Sequence, residues 1–356
     1  MITSNITGTG SNIPENIIEN SSFNQNSFYN ENGLLLTAET PQIIEKFHAI
    51  TGIEERRYAA DTILNSDMAM IAADKAILAS GIDREKIDQI IVAHNFGDVS
   101  AKCPIPDMLP SIASRVKHKL EIKNPSCVAY DVIFGCPGWV QAMIQADIYL
   151  KSGNAKACLV IGSETLSRMS DPFDRDSMIY SDGAGAVILE AVESEKPTGI
   201  LNHSAVSHTT EEVHFLMMGA GYSKEANEAK YVKMNGRKIY NYALTNVPNA
   251  IKNCLEKGGF SIDEVGKILI HQANEKMDLA IAERLYKLYG YEIAPIECMP
   301  MNIQKLGNNS VATVPVLFDM INRNKLPNYQ FFSGELIVMA SVGAGMNINA
   351  ITYRIP

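Results

Sequence analysis

Three residues of this 356-residue chain combine a chemical type with a setting that can use it: Cys136, His271 and Asn308. Cys136 stands in VIFGCPGWVQAM (132–143), where an apolar, β-rich run stops at Gly135 and a helical pattern starts. Pro137 suits a first helical position, where its missing N–H is no loss. Cys136 then sits at or beside the N-cap, where unpaired backbone N–H groups and the helix dipole favour a thiolate. A buried structural cysteine is the other reading, because cysteine packs well as a small apolar residue. The stretch by itself leaves both open.

His271 follows three apolar strand residues in KILIHQANEK and precedes a helix. A histidine at a strand's end faces the crevice above the sheet, the usual ligand position in α/β folds. A satisfied rim or core histidine is the plainer alternative. Asn308 lies in KLGNNSVATVPVLF, after Gly307 and just before a helix starting near Ser310. Asn309 and Ser310 read as helix caps, whereas the turn at Gly307 can aim the Asn308 amide away from the helix. A glycine-rich turn, SVGAGMN (341–347), joins two apolar strands. It is an ordinary hairpin turn or a set of backbone N–H groups aimed at a substrate oxygen.

The elements that must hold these residues alternate between helix and strand. Helical spacing with a glycine stop covers 67–81, and DQIIVAHN reads as a short buried strand. Helices are predicted at 111–120, 137–151, 240–259, 275–288 and 311–323. Strands are predicted at 126–135, 157–164, 182–191, 267–271, 335–342 and 346–355. The GAG turn that feeds straight into VILEA predicts some antiparallel pairing. Composition turns polar at VESEKPTGI (192–200), and a similar element order recurs beyond it. Two duplicated halves, 1–195 with the cysteine and 196–356 with the histidine and asparagine, follow from that recurrence. Residues 10–35, rich in Asn and Ser, read as a surface segment.

Composition narrows the function classes. The chain is 46% hydrophobic and 20% charged, with a formal net charge of -9, so its bulk charge does not suggest nucleic acid or anionic membrane as a partner. No run approaches a membrane span, and no basic-then-apolar leader opens the sequence. Six scattered cysteines without a C-x-x-C pair fit free thiols in a reducing cytoplasm. GTGSN (8–12) lacks the third glycine of a dinucleotide fingerprint and no phosphate-binding G-x-x-x-x-G-K-[ST] occurs, so no cofactor is expected.

Taken together, TGIEERR (51–57), the Cys136 segment, DGAGAVIL (182–189), MNGRKIY (234–240), IHQAN (270–274), LGNNSVATVP (306–315) and SVGAGMNINAITYR (341–354) resemble the β-ketoacyl-acyl-carrier-protein synthase III family of the thiolase superfamily. They stand in that family's order across nearly the whole chain. The resemblance implies an α/β, five-layered αβαβα fold of two duplicated halves, a homodimer, and a Cys-His-Asn site made of Cys136, His271 and Asn308. Cys136 would accept an acyl group from a thioester, while neutral His271 and Asn308 would donate hydrogen bonds to the carbonyl of a second thioester as it becomes an enolate. Backbone N–H groups of Cys136 and of Gly343, Ala344 and Gly345 would form the oxyanion hole. Ala344 stands where the family has glycine. The substrate residues implied also include Arg57 and Lys276; Lys276 shares a helix face with Lys287, eleven residues on, suited to an acidic acyl carrier protein.

Many members that prime fatty-acid synthesis from acyl-CoA carry a Trp and an Arg upstream of their TGI motif, where this chain has Lys46 and Ile50. The leading expectation is therefore a condensing enzyme of a specialised lipid or secondary-metabolite pathway, such as one building dialkylresorcinol or aryl-polyene-type products from two acyl chains. Acyl-CoA-primed initiation of fatty-acid synthesis is one alternative. An acyltransferase of the same fold, passing the acyl group from Cys136 to an alcohol or amine, is the other.

Overall fold

The computed structural model describes residues 1–226 and 229–356. Two sheets dominate it. The first is formed by β1 (Ile2–Asn12), β2 (Gln89–Ala93), β3 (Val128–Val132), β4 (Ala157–Thr165) and β5 (Asp182–Glu193), in the order β1-β5-β4-β2-β3. β1, β5 and β4 pair antiparallel, and β4, β2 and β3 run parallel. The second is formed by β6 (Gly199–Ser207), β7 (Val265–Ile270), β8 (Leu336–Gly343) and β9 (Asn347–Arg354), in the order β6-β9-β8-β7. Its pairings are antiparallel, antiparallel and parallel. The four strands of the second sheet therefore repeat the order and sense of the first four strands of the first.

Among the described residues there are eight α-helices: α1 (Thr40–Thr51), α2 (Asn65–Ser80), α3 (Ile112–Lys119), α4 (Gly138–Lys151), α5 (Gly236–Gly258), α6 (Glu275–Lys287), the single turn α7 (Ile303–Leu306) and α8 (Thr313–Asn322). α2 and α3 cover the outer face of the first sheet through Met68, Ala72, Ile112 and Val116. α5 and α6 cover the outer face of the second through Val247, Ile251, Ile281 and Leu285. Between the sheets lie α4 and α8, whose Trp139, Met143, Leu317 and Phe318 share one core with Val160, Leu189, Met339 and Ile351 from the two sheets. The result is a thiolase-like αβαβα stack, in which the middle helices are apolar on almost every side because both faces are buried.

The seating of α8 explains two glycines. A Cβ on Gly185 would lie 2.7 Å from both Pro315 Cβ and the Val316 nitrogen, and one on Gly162 would meet the Val311 carbonyl. Only glycine lets the start of α8 rest this close to β4 and β5. DGAGAVIL thus acts through backbone contact, which brings the 307–313 turn over the middle of the first sheet.

Most element boundaries fall within a few residues of their sequence expectation. Pro137 is the exception that bears on chemistry: it is the N-cap of α4, in αR conformation, and Gly138 is the first helical residue. Cys136 therefore stands beside the N-cap, as its sequence suggests. The polar 10–35 segment is likewise anchored more than its composition suggests. Phe23 and Phe28 bury with Ile43, Phe47 and Met178 in a separate cluster.

Candidate active site

Each of the three residues is delivered by a strand end or helix start that borders the crevice between the sheets. Cys136 follows β3, with Gly135 at φ +67° turning the chain into α4. The hairpin between β8 and β9 presses on it from the other half. A Cβ on Gly343 would lie 2.6 Å from the Cys136 nitrogen, and one on Gly135 would lie 2.7 Å from the Ala344 nitrogen. The Gly343–Gly345 turn thus reaches the cysteine's backbone, as an oxyanion-hole role requires. Ala344 keeps its amide there.

His271 continues β7 by one backbone hydrogen bond, from its N–H to the Ala340 carbonyl at 2.9 Å. Its side chain is buried, with Nδ1 3.2 Å from the Thr313 hydroxyl, which itself donates to Asn309 Oδ1 at 2.7 Å. Burial pushes the imidazole down to about 4, while a hydrogen bond to the Ser310 backbone pulls the other way. The ring is therefore neutral throughout the physiological range.

Asn308 is fixed by its backbone and its side chain. Its N–H donates to the Ile179 carbonyl and its carbonyl accepts from the Ser181 N–H, both at 2.9 Å. Its Oδ1 accepts from the Ser310 N–H at 2.9 Å. With the oxygen so occupied, Nδ2 is the end of the amide left to donate outward, and it has no hydrogen-bond partner among the described residues.

The cysteine differs from its sequence expectation. Cys136 is half-buried, and burial pushes its thiol up to about 11; the Ser310 hydroxyl, which donates to Sγ at 3.4 Å, works against that rise, and Glu164 adds to it. Desolvation outweighs proximity to the helix N-terminus, so the resting group is a thiol that needs a proton acceptor before it can attack. Ser310, which reads in the sequence as a helix cap, joins all three residues. It touches Cys136 with its hydroxyl, Asn308 with its N–H and His271 through its backbone. Its φ of +54° was not legible in a stretch that reads as an ordinary helix cap.

The remaining expected residues lie outside this cluster. The Arg57 guanidinium pairs with Glu55 at 2.7 Å, and the backbone of Arg57 hydrogen-bonds Ser181, next to the Tyr180–Asn308 bridge. Lys276, in the first turn of α6, and Lys287, in its last, are both exposed.

Residues 130–208 match the family described as 3-oxoacyl-[acyl-carrier-protein (ACP)] synthase III, and residues 255–355 match that family's C-terminal model. The chain is 33% identical over 355 residues to the beta-ketoacyl-[acyl-carrier-protein] synthase III of Ehrlichia ruminantium (strain Gardel), covering 99% of both chains. It belongs to the β-ketoacyl-acyl-carrier-protein synthase III family. A relative from Vibrio vulnificus (strain YJ016), named beta-ketoacyl-[acyl-carrier-protein] synthase III 1, is 34% identical over 352 residues and covered to 99%, as is this chain. The solved synthase III of Aquifex aeolicus VF5 superposes with a TM-score of 0.80 at 30% identity, covering 99% of each chain. Synthase III relatives are condensing transferases. No helix among the described residues is long and apolar enough to cross a membrane.

Proposed function

We propose that this synthase III relative forms a carbon–carbon bond between an acyl group carried on Cys136 and a second thioester. The observation that carries this reading is the convergence of Cys136, Asn308 and His271 on one residue, Ser310. In the first step the thiol loses its proton to neutral His271 and sulfur attacks the donor thioester; the donor's thiolate leaves with that proton, and the acyl group stays on Cys136. The Cys136 and Ala344 N–H groups hold the acyl oxygen. In the second step the other thioester loses its α-carboxylate as carbon dioxide, and His271 and the Asn308 Nδ2 donate to its carbonyl as the electron pair of the broken bond makes the α-carbon nucleophilic. That carbon attacks the acyl carbonyl, and the Cys136 thiolate leaves.

We infer a donor other than a simple priming acyl-CoA, in a specialised lipid or secondary-metabolite pathway. Lys46 and Ile50 are exposed on α1 and provide no aromatic platform for an adenine. Carrier-protein delivery would use the exposed Lys276 on α6. The name shared by the curated relatives favours the second reading, initiation of fatty-acid synthesis. Intact-mass measurement of Cys136 loading from acetyl-CoA and from a long acyl-carrier-protein thioester separates the two: rapid loading by acetyl-CoA alone removes the specialised reading. Transfer to an alcohol or amine, the third reading, needs no Asn308. Normal turnover of Asn308→Ala would put it first.

We also propose a homodimer formed along β3, with the two halves of the chain meeting near residue 195. β3 is an edge strand of the first sheet, and Val128, Ile133 and Ile148 beside it are 51%, 60% and 55% exposed. An unpaired apolar edge invites pairing with a second copy. A monomeric mass by light scattering would remove this part of the reading.

A further inference from the structure

Behind Ser310 runs a chain of side chains that the mechanism above does not use. Glu164, fully buried at the crevice end of β4, accepts with Oε2 from both the backbone N–H and the Nδ2 of Asn95, each at 2.8 Å. Asn95 Nδ2 has a second hydrogen, which goes to the Ser310 hydroxyl oxygen at 3.1 Å. An amide nitrogen can only donate. With Asn95 donating to it, the Ser310 oxygen keeps its own hydrogen for the remaining partner, the Cys136 sulfur at 3.4 Å. The direction of every bond in the chain follows from the carboxylate at its far end.

We propose that Glu164 and Asn95 are positioning residues that aim the Ser310 hydroxyl at Cys136, making Ser310 the hydrogen-bond donor that sustains the thiolate. This rests on Cys136 being the nucleophile. The positive φ of Ser310 supports it, since a non-glycine residue held in the left-handed region persists only where its surroundings over-determine it, typically at functional sites. The Glu164 Oε1, buried and without a partner among the described residues, is where the acid carries its proton when neutral. Burial pushes that acid up to about 7, so its charge changes near neutrality. Other titratable groups around the chain are His94 and Asp182 beside Glu164, Tyr180 beside Cys136, and His271 at the Ser310 backbone.

Two consequences oppose each other in sign. Removing the Ser310 hydroxyl withdraws a donor from the thiolate and raises the Cys136 titration. Replacing Glu164 by glutamine keeps an acceptor for Asn95 but removes a negative charge that opposes the thiolate, and lowers the titration. The experiment is the pH dependence of iodoacetamide alkylation at Cys136, followed by peptide mass on the intact full-length protein. Cys103, exposed on the 98–107 hairpin, is the internal standard. Ser310→Ala is expected to slow Cys136 alkylation at pH 7.5 at least about tenfold, the size expected for a hydrogen bond to an ionised group, and to move its midpoint upward. Ser310→Gly, which suits φ +54°, is expected to do the same without backbone strain. Glu164→Gln is expected to move the midpoint downward and to remove an inflection near pH 7. Wild-type rates and midpoints in both Ser310 variants would overturn the proposal, as would an upward shift in Glu164→Gln. Alkylation as expected, with no acyl transfer from any thioester, would leave this inference standing and remove the condensing reading.

Discussion

The two halves place a histidine at the same point of the same topology, at the end of β2 and at the end of β7, and use it differently. His94 is saturated: its Nδ1 accepts from the Gly97 N–H at 3.0 Å, and Nε2 lies 2.8 Å from Asp131 Oδ2. Asp131 in turn accepts from the Ile112 and Ala113 N–H groups at the start of α3, both at 2.7 Å. His94 is a brace between β2, β3 and α3. His271, in the equivalent place, has no carboxylate partner among the described residues: its ring meets the Thr313 hydroxyl at 3.2 Å and the Ser310 backbone. A duplicated scaffold supplies two strand-end histidines, and the kind of partner each finds, a carboxylate for one and a hydroxyl for the other, decides which is left to do chemistry.

Replacing each histidine by alanine is the strongest way to break this contrast. His271→Ala is expected to lower condensation by about 10²–10⁴-fold with little change in the melting curve. His94→Ala leaves Asp131 and the Gly97 N–H each short of a buried hydrogen-bond partner and is expected to cost about 2 kcal/mol of stability, read by chemical denaturation. A stable but inactive His94→Ala would reverse the assignment. Next in size, Asn308→Ala should load an acyl group on Cys136 at a near-normal rate yet condense about 10²-fold more slowly, measured by intact mass and product formation. Cys136→Ala should show no acyl adduct at all.

The pH response sharpens the contrast further. His271 titrates near 4 in the folded chain and near 6.5 when unfolded. Between those values the unfolded chain takes up a proton that the folded chain refuses. Stability is therefore full above about pH 6.5 and falls as pH drops toward 4, by about 3 kcal/mol at most from this group. His271→Ala should flatten that window in denaturation curves collected from pH 7 to 4. The smallest effect expected is at the surface. Lys276→Glu should slow loading from a carrier-protein thioester several-fold, mainly at low salt, and leave loading from a CoA thioester unchanged.

Much of the site is legible before any coordinates. Cys136, His271 and Asn308 each sit at a seam where a strand pattern ends or a helix pattern begins, and such seams face the crevice of an α/β sheet. The antiparallel sense of β5 was also legible, because its glycine turn runs directly into apolar residues. Ser310, Glu164 and Asn95 were not. Each looks ordinary in its own segment, as a cap, a strand-end acid and a loop amide. Their roles come from contacts across 69 residues between Asn95 and Glu164 and 215 between Asn95 and Ser310.

The sequence by itself determined the α/β alternation, the duplicated order of elements, and the residue types that stand at the strand ends and helix starts. Periodicity, turn residues and element order are local properties, and local properties suffice for those. Tertiary structure alone decided how the reactive groups are charged. Helix-start position argues for a lowered Cys136 thiol, yet burial raises it to about 11 and drives His271 down to about 4. Desolvation is set by everything packed around a group, and that is known only once β4, α4, α8 and the 343–345 turn have closed around the sulfur.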